Sequence, residues 1–223
     1  MNEYSRVVLF DLDGTLIDSH EAIYESAVTI LSHYTEELPS KEKVFKSVGL
    51  PISGLFSEFI LDSQLNVAVK DFRSHLKAFG HEKTNLIPDA RNTLEHFKEH
   101  GIAIGLVSNK QTALAVSVLE QQEISGYFDL VVGSDLGAAK PSPDLISFAL
   151  SKFPKPVFSV MVGDRVEDME AAKSAGISGI FLENTWNPME DLIRLLPYKP
   201  KVISSLRELF RAYLEIEEVV SVD

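Results

Sequence analysis

Asp11 and Asp13 stand one residue apart at the end of an apolar run, Val7-Val8-Leu9-Phe10, and are followed by Gly14-Thr15. Two carboxylates so placed repel each other, and the usual remedies are a divalent cation or a raised pKa on one of them. Alternation along a strand aims both acids to the same side, while Gly14 lets the chain turn sharply and keeps the site open. Taken alone, the segment also reads as a strand running into an Asp-Gly turn. Two further apolar runs end in the same manner. Residues 102–107 stop at Ser108-Asn109-Lys110, and residues 157–162 stop at Gly163-Asp164, with Asp168 one helical turn later. Polar endings on three parallel strands converge on one crevice, where buried acids are costly without a cation. An all-oxygen ligand set, in a chain without cysteine, suits a hard ion such as Mg2+, which keeps several waters and takes few carboxylates. His33, His96 and His100 fall on predicted helices away from these ends. Lys140, set between small residues and Pro141, leaves one long cation free to reach the crevice. It is the positive group that a phosphoryl substrate needs in a chain of net negative charge.

Strands must carry these ends, and the apolar periodicity supplies them. Residues 6–10 are too few for a helix and read as a strand buried on both faces, the kind found inside a parallel sheet. Asp18-Ser19-His20-Glu21 has an N-cap acid with a glutamate three positions on, which predicts a helix running to about Tyr34. From 41 to 80 the apolar spacing stays helical, and no strand pattern interrupts it. A helical block of this length between the first two core strands reads as an inserted subdomain rather than a single crossover. Pro88 opens a helix that closes at His100-Gly101. Strands at 102–107, 130–132, 157–162 and 178–182 then alternate with helices at 111–121, from Ser142-Pro143, and at 166–175. A helix over 189–196, an edge strand at Val202-Ile203 and a last amphipathic helix over 205–215 complete the pattern. The expected class is α/β: a Rossmann-like parallel sheet flanked by helices, with a small helical domain inserted after the first strand.

Composition narrows the functions. With 223 residues and 45% hydrophobic content the chain can bury a substantial core. A formal net charge of -12 leaves no basic excess to release counterions, so a nucleic-acid partner is not expected. The amino-terminal residues do not read as an export signal, no apolar run approaches the roughly 18 residues of a membrane span, and the lack of cysteine fits a reducing cytoplasm. Neither a Gly-x-x-x-x-Gly-Lys-Ser/Thr loop nor a Gly-x-Gly-x-x-Gly fingerprint is present, which disfavours a kinase or a dinucleotide-binding protein.

With these residues in place, the chain resembles the haloacid dehalogenase-like hydrolases, and more closely their phosphoglycolate phosphatase-like branch. The family's Asp-x-Asp-Gly-Thr matches Asp11 to Thr15, its strand-end Ser or Thr matches Ser108, its Lys-Pro lysine matches Lys140, and its Gly-Asp-x-x-x-Asp matches Gly163 to Asp168. The helical insert resembles the family's mobile cap. The resemblance implies an α/β core over 1–17 and 86–223 and a cap over 18–85. It implies that Asp11 attacks phosphorus to form an aspartyl-phosphate, and that Asp13 protonates the leaving alkoxide and then activates water. Gly14, Thr15, Ser108, Asn109 and Lys140 would bind the phosphoryl group. Asp11, Asp13 through its backbone carbonyl, and Asp164 would hold Mg2+, with Asp168 orienting Lys140 or metal-bound water. Lys46 and Arg73 are the cap residues picked to meet a distal anionic group. The implied substrate is a small-molecule phosphate ester (phosphoglycolate, a sugar phosphate, a nucleotide or pyrophosphate), and the implied assembly is a monomer or homodimer. A phosphomutase of the β-phosphoglucomutase type shares every core motif, but carries a cap-loop arginine where this chain reads Gly49-Leu50-Pro51-Ile52-Ser53. A non-catalytic binding member would not need Asp11, Asp13, Lys140 and Asp164 together.

Overall fold

Val7 and Leu9 face one side of a sheet and Val8 and Phe10 the other, and all four are fully buried. This is the period-two pattern of a strand covered on both faces. The structure, a computed structural model, describes residues 6–154, 156–187, 194 and 196–220. Its main sheet runs β5-β4-β1-β6-β7-β8, with every neighbouring pair parallel. The strands are β1 (Arg6–Phe10), β4 (Ala103–Val107), β5 (Leu130–Val132), β6 (Phe158–Gly163), β7 (Ser178–Leu182) and β8 (Lys201–Ile203). The helices α5 (Ala90–Glu99), α6 (Thr112–Gln121) and α9 (Leu209–Val220) pack on the Val8 and Phe10 face through residues such as Leu94, Phe97, Leu119 and Tyr213. The other face is covered by α7 (Asp144–Lys152) and α8 (Val166–Ser174), through Leu145, Ile146, Ala149, Ala171 and Ala172.

From β1 the chain moves outward to β4 and β5 on one side, then returns to β6 and continues to β7 and β8 on the other. Strand order reverses beside β1, and the crevice at such a switch point is where open parallel sheets bind ligands. The first residue past each strand still belongs to the ladder, since Asp11 N–H donates to Val162 O at 2.9 Å and Ser108 N–H to Val132 O at 3.0 Å. Sheet hydrogen bonds therefore set the orientation of both side chains.

Between β1 and β4 lie α1 (His20–Leu31), α2 (Lys41–Ser47), α3 (Ile52–Phe56) and α4 (Asp62–Phe79). They bury a cluster of their own, including Ile23, Ala27, Leu31, Val44, Phe56, Phe72 and Leu76, and α6 contributes Leu114 to it. The chain enters and leaves this block through β2 (Ile17–Asp18) and β3 (Asn85–Leu86), which pair antiparallel as Ile17 with Leu86 and Asp18 with Asn85. The expected domain boundaries fall on this ribbon. The ribbon itself was not expected, because two residues per strand are too few to carry a periodicity.

Some helix starts differ from the expected ones. The N-cap of α1 is Ser19, not Asp18, and its side chain makes no cap bond. Pro88 lies before α5 rather than opening it, with Asp89 at φ 66° as the N-cap. Pro143 is the N-cap of α7 rather than its first residue, and Ser142 Oγ accepts from Asp144 N–H at 3.3 Å. The helix expected over 189–196 falls mostly outside the described residues. Among the described residues, no helix is long and apolar enough to cross a membrane.

Candidate active site

The carboxyl ends of β1, β4 and β6 bring Asp11, Asp13, Ser108 and Asp164 to one crevice, where each is at least 95% buried. Lys140, only 3% exposed, arrives from the segment between β5 and α7. Its ammonium donates to Asp11 Oδ1 at 2.7 Å and to Val107 O at 2.9 Å, and it pairs with Asp168 Oδ1 at 2.6 Å. Three donors thus meet three acceptors, which a buried ammonium requires. Asp168 Oδ2 accepts from Arg165 N–H at 3.1 Å, so this acid is held from both sides at the start of α8.

Asp164 is held as closely. Thr15 Oγ1 donates to its Oδ1 at 3.0 Å, and Asn184 Nδ2 and Asn187 Nδ2 both donate to its Oδ2 at 2.9 Å. Both asparagines lie past the end of β7. They were not anticipated, although the argument used for the other strand ends applies equally to the fourth. Gly14 passes beside this acid at φ +86°, and a Cβ placed there would lie 2.3 Å from Asp164 Oδ2. Gly14→Ala should therefore cost about 1–2 kcal/mol of stability through backbone strain alone and push Asp164 aside. Thermal melting beside the parent checks this: the variant's Tm should fall by about 2–8 °C.

Asp13 does not join the acid cluster. Ser19 Oγ donates to its Oδ1 at 2.5 Å, and Lys110 Nζ lies 2.9 Å from its Oδ2, with both charged side chains almost fully buried. The bond to Asp13 explains the missing cap on α1, because the Ser19 hydroxyl is spent on the site. Lys110 was passed over in the sequence, although it follows Ser108-Asn109 directly and is a long cation at a strand end, as Lys140 is beside the crevice. Asn109 is a strut rather than a crevice lining alone. Its Oδ1 accepts from Lys140 N–H at 2.8 Å, and its Nδ2 donates to Gly49 O at 3.0 Å. Arg165 extends the same tie, donating from Nη1 to Val48 O at 2.9 Å and to Lys46 O at 3.1 Å. Two residues, each adjacent to a crevice residue, therefore hold the 46–49 loop of the helical block.

The two expected cap contacts separate. Arg73 lines a cavity of about 260 Å3 that Asp13, Asn109 and Lys110 also line. Lys46 is not among the lining residues; its ammonium lies 2.8 Å from Glu42 Oε1 and its side chain is 63% exposed. Lying at the end of α2, Lys46 presents its side chain to solvent and only its carbonyl to the core.

Electrostatics give the cluster its character. Burial pushes the Asp11 carboxyl up to about 8; Lys140 opposes the shift, and Asp168 and Asp164 add to it. Burial, with the charge of Asp168, pushes Asp164 up to about 6. Burial would lower Lys140, but Asp11 and Asp168 outweigh it and hold the ammonium firmly protonated. One ammonium thus touches two of the clustered carboxylates, Asp11 and Asp168, while Asp164 is held by the neutral donors Thr15, Asn184 and Asn187. Carboxylate oxygens of Asp11, Asp164 and Asp168 lie within 4.8 Å of one another. An all-oxygen cluster short of positive charge fits a hard divalent cation.

The family model described as haloacid dehalogenase-like hydrolase matches residues 8–182. A phosphoglycolate phosphatase of Aquifex aeolicus is 36% identical over 173 residues, 77% of this chain and 81% of that protein. The pyrophosphatase PpaX of Bacillus velezensis is 34% identical over 175 residues, 76% of this chain and 79% of that one. Among solved structures, a haloacid dehalogenase-like family hydrolase from Streptococcus pneumoniae superposes with a TM-score of 0.81 at 26% identity, covering 92% of this chain and 97% of that chain.

Proposed function

Because the chain belongs to the haloacid dehalogenase-like hydrolases and is a phosphatase acting on phosphoric monoesters, we propose that it hydrolyses a small-molecule phosphate ester in the cytoplasm with Mg2+, through an aspartyl-phosphate on Asp11. The observation that carries this reading is the Lys140 ammonium set between Asp11 and Asp168. It fixes the nucleophile's orientation and leaves a positive group beside the position of the transferring phosphoryl oxygens.

In the first step an oxygen of Asp11 forms a bond to phosphorus, and the phosphorus–ester oxygen bond breaks. The departing oxygen takes its proton from Asp13. Water then attacks the phosphorus of the acyl phosphate, giving up a proton to Asp13, and the Asp11 carboxylate returns as phosphate leaves. Ser108, at the end of β4, and Lys140 hold phosphoryl oxygens through both steps. Asp11, Asp164 and the Asp13 carbonyl would hold the cation, which when bound would supply positive charge against the phosphoryl group and offset the acids' repulsion. The block spanning 18–85 serves as a cap that excludes water while the phosphoryl group is in transit. Hydrolysis is favoured over the mutase reaction by the cap loop, which reads Gly49-Leu50-Pro51-Ile52-Ser53 where such mutases carry an arginine.

A panel of phosphate esters assayed for phosphate release, with Mg2+ and with excess chelator, tests the reading; full activity in chelator would sink it. Proton linkage adds a second expectation. The raised pKa values of Asp164, from 3.8 to about 6, and of Asp11, to about 8, mean that the ion-free fold loses stability as pH rises from about 4 to 8. The ion requires ionised carboxylates, so the rise in Tm that Mg2+ produces should be small at pH 5 and larger at pH 8. Equal shifts at both pH values would count against these acids as the ligands.

A further inference from the structure

We propose that Lys110 reads an anionic group on the leaving-group side of the substrate, and that this anion, by taking the ammonium, releases Asp13 for its work on the ester oxygen. The inference rests on the phosphatase reading above and names the substrate class for the same site: short esters that bear a second anion.

The cavity between the helical block and the sheet edge has three charged residues in its lining, Asp13, Lys110 and Arg73. Two cations against one acid is the balance of the lining itself in a chain of formal net charge -12, with Asp135 outside the lining but close enough to feel the charge of Arg73. It is the balance expected where an anion is to be received. Asp13, moreover, has both carboxylate oxygens occupied, Oδ1 by Ser19 and Oδ2 by Lys110. An oxygen bonded to Lys110 is not available to a leaving group. The pair is a buried one, with side chains 7% and 6% exposed, and such pairs are held at a desolvation cost that a better-placed partner can overturn.

Lys110 is built to change partners. Its backbone is pinned, since its N–H donates to Ser108 Oγ at 3.2 Å and its carbonyl accepts from Ser134 N–H at 3.0 Å. The ammonium nevertheless rides on a flexible four-carbon stem. Asp13 is the group that must touch the ester oxygen, so an anion able to take Lys110 from it has to lie only a few atoms beyond that oxygen. A carboxylate on a two-carbon unit fits this requirement, and so does a second phosphate joined directly. Arg73, reaching the same cavity from α4, can share the anion. A neutral leaving group supplies no rival for Lys110, and the ion pair then stays closed.

The test compares 2-phosphoglycolate with 2-hydroxyethyl phosphate, which have the same length and differ in the distal charge; pyrophosphate forms a second arm that distinguishes carboxylate from phosphate. The wild-type protein should favour the anionic esters in kcat/KM by about 100-fold, the upper scale of the penalty for a buried polar group left without its partner. Lys110→Gln should bring that ratio towards one, with the fall appearing in kcat as well as KM, and Lys110→Arg should restore part of it. A merely structural lysine would lower both substrates together and leave the ratio standing, which would overturn the proposal. Equal kcat/KM values on wild-type protein would overturn it without any variant. Turnover of neither ester by a wild type that hydrolyses another member of the ester panel, or turnover of both without preference, sinks this inference alone; failure across the whole panel, no different from Asp11→Asn, removes the phosphatase reading with it.

Discussion

On the proposed mechanism Asp11→Asn should end phosphate release, and with an activated ester Asp13→Asn should stop the reaction one step later. The first substitution takes away the oxygen that bonds to phosphorus, and kcat should fall by at least about 10^4-fold, as when other covalent nucleophiles are removed. It should do so without unfolding the protein. Burial already pushes Asp11 up to about 8, so an uncharged isostere relieves the repulsion among three closely set carboxylates. Asp13→Asn keeps the nucleophile but removes the acid for the leaving group and the base for water. With an activated aryl phosphate, which needs little protonation to depart, the first step should survive while the second stalls. The aspartyl-phosphate then accumulates, and mass spectrometry after a rapid quench should find one added phosphoryl mass on the peptide that contains Asp11. An adduct on another residue, or an Asp11→Asn protein as active as the parent, contradicts the mechanism. Because Asp13→Asn also leaves Lys110 without its carboxylate, its Tm is the necessary control.

Lys140→Met should be the most destabilising single change in the site. The methionine fills most of the volume but leaves Asp11 and Asp168 without the ammonium they share, and Val107 O loses its donor. Breaking a buried pair from one side costs about 3–5 kcal/mol, or about 10 °C in Tm for a chain of this length. The loss should depend on pH in a definite sense. As pH rises the uncompensated acids ionise, so the variant should fall further below wild type at pH 8 than at pH 5, and added Mg2+ should recover part of the difference. A pH-independent loss would show that Lys140 acts there by packing rather than by charge. Activity should be lost at every pH, since the group that orients Asp11 and faces the phosphoryl oxygens is gone.

The sheet, the order of its elements and the edge at which the acids gather were all legible in the order of residues. Strands such as Val7 to Phe10 declare themselves by an unbroken apolar run, and Asp11, Ser108 and Asp164 by the abruptness with which polar residues follow; these are local signals, readable within a few residues. The remaining features arise from contacts between segments far apart in the chain. Lys110 rather than Lys46 stands at the cavity, because the end of α2 turns the Lys46 side chain to solvent and a strand end turns Lys110 inward. The Ser19 hydroxyl leaves its helix uncapped to hold Asp13. Asn184 and Asn187 reach Asp164, and Arg165 and Asn109 tie the loop of the helical block to the crevice. None of these pairings has a period or a composition that marks it. A polar side chain is satisfied by whichever partner the fold brings within about 3 Å of it, and that distance exists only once the apolar faces have packed.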